Sequence, residues 1–278
     1  MSENASDAAG EVTTAPDPLD PSATVPDVSV FFARWREWSD ALRDDPRVTN
    51  DLRYGPSEDE SLDLFVPREA APLVAFFHGG YWRRLHKNDH TFVARGLAAH
   101  GVATAIVNYG LAPMLTLEEI TAQARRSASW LRANAAVYGA DPARFVVAGH
   151  SAGGHLAAMC AVDAPVGGVV TMSGLHELVA VARSFANAWL QLDDARAAAL
   201  SPARLAPAAP VPVYAITGER ETPEFRAQGR AIVDAWRARG CTATYEDAAG
   251  DDHFTLLERL HHADDPLVVR IAAMAHGR

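Results

Sequence analysis

Between Arg144 and Ala161 the chain reads RFVVAGHSAGGHLAAMCA. An apolar run leads into Gly149-His150-Ser151-Ala152-Gly153, and a stretch of small, helix-compatible residues follows at once. Few backbones fit such a junction. A G-x-S-x-G between a strand and a helix makes a tight turn that holds its serine strained, with the hydroxyl exposed. The first N–H groups of the following helix lack intrahelical partners and favour negative charge beside them. The pattern predicts a strand, a sharp turn and a helix, with Ser151 as a candidate nucleophile.

The rest of the chain repeats the alternation. PLVAFF, Pro72 to Phe77, is a short apolar run without period two, as expected of a strand buried on both faces. GVATAIVNY (Gly101 to Tyr109), GGVVTMSG ending near Ser173, VPVYAIT ending at Thr217, and CTATYEDA read as further strands. Helices are predicted between them. One opens on a capping box, Thr116 with Glu119, and stops at Gly139; another spans Pro223 to Arg239, and DPLVVRIAAMAH is the last. Before this series, Phe31, Trp35, Trp38 and Leu42 give the stripe of an amphipathic helix packed on a core. TNDLRYGPSEDESLDLFVP then reads as two short strands around a turn. Strands alternating with helices imply a mostly parallel, doubly wound α/β sheet. Residues 175–209 break the alternation and are expected to form a helical, cap-like insertion over the strand ends.

In a parallel sheet, ligands gather at the carboxyl ends of the strands. Gly79 and Gly80, after the first apolar strand, expose backbone N–H groups that with Ala152 could receive an oxyanion. His78 reads as a brace for that loop. After VPVYAIT come Glu219, Glu221 and Glu224, any of which could orient a histidine; Glu224 opens a helix, where a carboxylate has a role in any case. In GDDHFTLLE, His253 stands where a general base belongs, with Asp251 and Asp252 as solvated loop charges. The order serine, acid, histidine differs from that of chymotrypsin and subtilisin. A dinucleotide fingerprint is excluded because the G-x-G-x-x-G spacing is absent. His86 and His90 lack the H-E-x-x-H context of a zinc site and read as surface histidines; no metal and no cofactor is expected.

Charge narrows the partners. The net charge is −10, from 25 Lys and Arg against 35 Asp and Glu. Glu3, Asp7, Glu11, Asp17, Asp20 and Asp27 all lie in residues 1–27, which hold no Lys or Arg. That segment, rich in Ala, Pro, Ser and Thr, reads as a disordered acidic tail, and residues 28–278 as a single domain. The remaining −4 argues against nucleic-acid binding, and no apolar run approaches the ~18 residues of a membrane span. Cys160 and Cys241 form neither a metal spacing nor a disulfide framework, which suits a reducing cytoplasm and buried thiols. The expected partner is a small-molecule substrate, with a homodimer left open.

His78-Gly79-Gly80-Tyr81-Trp82 resembles the HGGYW signature of the α/β-hydrolase kynurenine formamidases, which sit beside the hormone-sensitive-lipase-like carboxylesterases. YGPSEDESLDLFVP, GHSAGGHLAA, SGLHEL, TPEFRAQ and DHF resemble the family's blocks in the family's order, from about Tyr54 to about Ala275. The resemblance implies an α/β-hydrolase fold with Ser151 as nucleophile, His253 as base and Glu221 as acid. Glu221-Thr222-Pro223-Glu224-Phe225 stands where the family often has DSPEF, so the acid here is one methylene longer than the usual Asp. It also implies Tyr81 and Trp82 beside an aryl leaving group, with Tyr109, Leu175, His176, Phe185 and Trp189 completing the walls. The activity implied is hydrolysis of an N-aryl formamide such as N-formylkynurenine. A carboxylesterase for small aryl or alkyl esters, and a non-catalytic binder on the same fold, are the alternatives.

Overall fold

The computed structural model describes residues 17–278. Eight strands form one sheet: β1 Val48–Arg53, β2 Ser61–Phe65, β3 Ala71–Phe77, β4 Ala103–Val107, β5 Ala140–His150, β6 Gly168–Met172, β7 Val213–Gly218 and β8 Ala243–Ala248. Their spatial order is β1-β2-β4-β3-β5-β6-β7-β8. β2 runs antiparallel to β1 and β4, and every other neighbouring pair is parallel. The helices are α1 Ser29–Arg43, α2 Ala94–Ala99, α3 Leu117–Asn134, α4 Ala152–Asp163, α5 Leu178–Val181, α6 Asn187–Leu190, α7 Asp194–Ala199, α8 Pro223–Arg237, α9 Thr255–Glu258 and α10 Pro266–Ala275. This is the mostly parallel, helix-flanked sheet that the alternation predicts.

β3 shows why its sequence carries no alternation. Leu73, Ala75 and Phe77 belong to the core beneath α3, α4 and α8, while Val74 and Phe76 belong to the core beneath α1, α2 and α10. Successive side chains of a strand point to opposite faces, so a strand covered on both needs apolar residues throughout. The predicted capping box forms: Thr116 Oγ1 accepts from Glu119 N, and Glu119 Oε2 accepts from Thr116 N at 2.8 Å. Residues 175–209 carry α5, α6 and α7, each short.

One boundary differs from the sequence reading. The chain is packed well before Val28: Leu19 is buried, Pro21 is buried at the start of a 3₁₀ turn, and Asp20 caps that turn. Residues 17–27 are therefore not part of a disordered tail; the remainder of that expected tail, residues 1–16, lies outside the described residues. His90 is also buried, its Nδ1 3.0 Å from His86 O, and His86 is half-buried and caps a 3₁₀ turn, so neither is the surface histidine expected. Cys160 and Cys241 are free and buried, and burial pushes the Cys160 thiol up to about 12, so it stays protonated and inert. Among the described residues, no helix is long and apolar enough to cross a membrane.

Besides His253, five histidines are buried among the described residues: His78, His90, His150, His155 and His176. Each has one ring nitrogen in a hydrogen bond, to a carbonyl in four cases and to Thr171 Oγ1 for His176. In His78, His90, His155 and His176 the other nitrogen has no partner, so a second N–H would be buried unsatisfied. Burial lowers His78 and His176 to about 3 and His90 and His155 to about 4, and it holds His150 well below the usual range. The unfolded chain protonates these rings near pH 6.5, and the folded protein does not. Below that pH the unfolded state binds more protons, so stability is constant above it and declines as the pH falls toward the folded values. Thermal denaturation should show a melting temperature lower by about 10 °C or more at pH 5 than at pH 7.5. A flat profile over that interval would mean that the rings are hydrated in solution.

Candidate active site

The turn predicted between strand and helix lies between β5 and α4. Ser151 has φ 55° and ψ −121°, a conformation that L residues rarely hold. It is fastened by its own N–H, which donates to Met172 O on β6 at 2.8 Å. Close packing forces the following glycine: a Cβ on Gly153 would collide with the Phe77 carbonyl at the end of β3. Across the turn lies the His78-Gly79-Gly80 loop. A Cβ built on Gly79 would stand 3.2 Å from Ser151 Cβ, so the Gly79 backbone lies directly against the candidate nucleophile. Gly80 has φ 102°, and its carbonyl accepts from Arg83 N at 3.0 Å and Arg84 N at 3.1 Å. Among the described residues, the N–H groups of Gly79, Gly80 and Ala152 make no hydrogen bond outside regular helix and strand pairing. They are the donors an oxyanion beside Ser151 would meet. His78 lies behind this loop, its Nδ1 2.8 Å from Gly79 O and its ring stacked 4.3 Å from that of Tyr109.

The loops after β7 and β8 bring a carboxylate and an imidazole together. Glu221 Oε2 lies 2.6 Å from His253 Nδ1, and both residues are buried. The other carboxylate oxygen, Oε1, accepts from Ser173 Oγ at 2.5 Å and from Gly218 N at 2.8 Å. Both oxygens are thus fixed, and the carboxylate has one orientation. With Nδ1 bound to Glu221, Nε2 is the ring nitrogen that His253 offers to the cavity it shares with Ser151. Phe225 and Phe254 flank the imidazole, with ring centroids at 4.8 and 5.4 Å. Glu219 is exposed and instead accepts from Gly250 N at 2.9 Å, which fastens the His253 loop. Glu224 is exposed on the first turn of α8. Asp252 is not the solvated charge expected: it is buried, accepts from Phe254 N and Thr255 N at 2.9 Å each, and pairs with Arg220. Asp251 pairs with Arg259 at 3.3 Å.

The space at Ser151 is small. A cavity of about 20 Å³ is bounded by Ser151, His150, His253 and Gly80, and walled by Pro21, Phe32, Trp35, Tyr81, Arg84, Leu85 and Phe254. A second cavity of about 580 Å³ shares Gly80, Tyr81 and Arg84 with it and continues outward past Arg83, Phe185, Trp189, Asp20, Ser22 and Val28. The segment from Asp17 roofs this region. Tyr81 Oη donates to Leu19 O, Thr222 Oγ1 donates to Pro18 O at 2.6 Å, and Phe185 N donates to Asp17 Oδ2 at 2.7 Å.

Of the wall residues expected, Tyr81, Phe185 and Trp189 line these cavities. The other four do not. Trp82 is fully buried, edge-on to His155 at 5.2 Å. Tyr81 and Trp82 have φ of 52° and 53°, so two consecutive left-handed residues turn one ring to the cavity and the other into the core. Tyr109 is buried and donates to His78 O at 2.6 Å; Leu175 is buried, and His176 Nε2 is 2.8 Å from Thr171 Oγ1. They support the loops rather than line the space. Other residues at the site had no such expectation. His150 Nε2 lies 2.8 Å from His253 O and ties the serine turn to the histidine loop; its place inside G-H-S-A-G was the available signal. Phe32 and Trp35 come from the helix read as ordinary packing, and Pro21 from the expected tail.

Comparison with known proteins places the chain in a family. Residues 62–178 match the BD-FAE family model. A kynurenine formamidase of Danio rerio is 30% identical over 76% of this chain and 76% of its own length. One of Salmo salar is 30% identical over 82% of each chain. The chain belongs to the kynurenine formamidase family. It is a hydrolase with the α/β-hydrolase fold. A solved structure from Silicibacter, provisionally described as a thioesterase, is 30% identical and superposes with a TM-score of 0.82 over 91% of this chain and 96% of its own.

Proposed function

We propose that this kynurenine formamidase family member cleaves an N-aryl formamide such as N-formylkynurenine to the aryl amine and formate, through a triad of Ser151, His253 and Glu221. His253 takes the proton of Ser151 as the hydroxyl attacks the formyl carbon. The N–H groups of Gly79, Gly80 and Ala152 hold the oxyanion that forms. Glu221 keeps the His253 proton on Nδ1 and stabilises the imidazolium. His253 then protonates the departing amine nitrogen, and water attacks the formyl-serine by the same steps in reverse. Two buried, unpaired thiols fit an enzyme of the cytoplasm.

The observation that carries the reading is the inner cavity. At about 20 Å³ it exceeds only slightly the ~10–15 Å³ that admits one water. So small a space beside Ser151 favours a short acyl group such as formyl, with the aryl portion in the outer cavity against Tyr81. A carboxylesterase with the same triad is the second reading. It is favoured by isoprenylcysteine methylesterases of plants, one of which is 33% identical over 40% of this chain.

The acyl series separates the two. Turnover of p-nitrophenyl acetate, butyrate and octanoate should fall as the chain lengthens, by about tenfold or more from acetate to butyrate, and N-formylkynurenine should be hydrolysed. Each methylene that fits an apolar acyl pocket gains ~1–3 kcal/mol, so an esterase built for longer acids shows the opposite trend. Rates that climb to octanoate, with N-formylkynurenine untouched, would leave the esterase.

A further inference from the structure

The rim of the inner cavity carries positive charge that the chemistry at Ser151 does not use. Arg83 and Arg84 follow the Gly79–Trp82 turn directly and are exposed, with their backbone fixed by the two hydrogen bonds to Gly80 O. The Arg84 guanidinium stands 5.5 Å from the Phe32 ring, a wall of the inner cavity. The Arg83 guanidinium stands 4.5 Å from the Trp189 ring, a wall of the outer one. Other arginines are paired with carboxylates: Arg196 with Glu118, Arg204 with Glu177 and Arg220 with Asp252. Arg83 and Arg84 have no such partner among the described residues. The acid on the same wall is Asp20, whose Oδ1 is taken by Ser22 N and Oγ at 2.9 and 2.6 Å. Two guanidinium groups therefore line the outer cavity with Asp20, and the Asp17 carboxylate in the roof accepts from Phe185 N.

The size of the inner cavity gives this charge a purpose. With a short acyl group beside Ser151, the rest of the substrate extends into the outer cavity, which shares Gly80, Tyr81 and Arg84 with the inner one. We propose that Arg83 and Arg84 form a subsite for a carboxylate on the leaving group, so that the enzyme selects aryl substrates bearing an anionic arm over neutral ones. This rests on the reading of Ser151 as the nucleophile. A guanidinium on an aromatic face is held in place with its donors free, and its planar fork matches a carboxylate. Such a site raises affinity more than it changes the bond-breaking step, so its effect falls on KM.

The test compares kcat/KM for desamino N-formylkynurenine, whose arm ends in a carboxylate, with its neutral carboxamide. The wild type should prefer the anion by about tenfold or more, mostly through KM. In R83Q/R84Q the ratio should drop to near one, and in R83E/R84E it should invert. Raising the salt concentration should shrink the wild-type preference, since these groups are exposed. A wild type without preference, or a ratio unmoved in both double variants, would overturn the subsite. Ser151→Ala distinguishes the two levels. If it abolishes turnover of both substrates and the ratio ignores the arginines, the subsite alone fails. If Ser151→Ala stays active on both, the underlying reading fails as well.

Discussion

Ser151→Ala should lower kcat by ~10³-fold or more, because members of a triad act as a unit and the residual rate comes from the oxyanion donors and binding alone. The backbone makes this a clean experiment. Ser151 is held at φ 55° and ψ −121°, and alanine bears the same steric cost there as serine, so the substitution removes the hydroxyl without relaxing the turn. The Ser151 N–H to Met172 O bond is also kept, since it belongs to the backbone. Ser151→Gly is the complementary variant: equally inactive, but more stable by ~1–3 kcal/mol because glycine relieves the strain. Chemical denaturation and a single-turnover assay read the two effects separately. More than a tenth of wild-type activity in purified Ser151→Ala would remove it from the nucleophile's role.

Glu221→Gln should cost nearly as much, ~10³–10⁴-fold in kcat, while Glu219→Gln should stay within about threefold of the wild type. Glutamine matches glutamate in shape, but it must use its amide to receive Ser173 Oγ and Gly218 N, which both donate to Oε1. The oxygen therefore stays on that side, and the NH₂ turns toward His253 Nδ1. The imidazole is driven to the tautomer protonated on Nε2, which cannot accept the serine proton. In Glu219→Gln the side chain still offers an oxygen to Gly250 N, so the loop keeps its shape. Equal small losses in both variants would leave His253 without an orienting carboxylate, and a larger loss at Glu219 would move the role there.

How much of this was readable depended on whether a local rule spoke for the residue. β3 announced itself because burial on both faces leaves an unbroken apolar run. The Ser151 turn did so because the approach of α4 to β3 at Gly153 admits no side chain. Glu221 was one of three carboxylates in a row on spacing alone; the family's block singled it out, and contact with His253 depends on how the loop after β7 closes, which no periodicity encodes. The aromatic pair misled for a local reason. Tyr81 and Trp82 are neighbours in sequence, but their left-handed backbone sends them to different environments, and only Tyr81 reaches the cavity. Phe32 was hidden because the stripe of α1 marks the buried side of a helix without saying whether core or cavity lies there. The stretch from Asp17 to Asp27 has the Pro, Ala and Asp content of an unfolded chain, and its order comes from a few anchors: Leu19 in the core and three hydrogen bonds to Tyr81, Thr222 and Phe185.

That roof divides the molecule into parts that can change at different speeds. The proposed nucleophile, base, acid and oxyanion donors all sit on loops seated in the sheet, where glycines packed against backbone tolerate almost no variation. The roof touches them through Pro21 at the cavity wall and is moored mainly by its own carbonyls and one Asp17 carboxylate. Carbonyl acceptors are indifferent to the side chain beside them. The roof can therefore exchange residues, and with them the shape of the entrance, without disturbing its moorings or the reaction beneath. For a lineage of hydrolases this offers a route to new diets: the reaction is inherited intact while the menu is rewritten along a short stretch preceding the first helix.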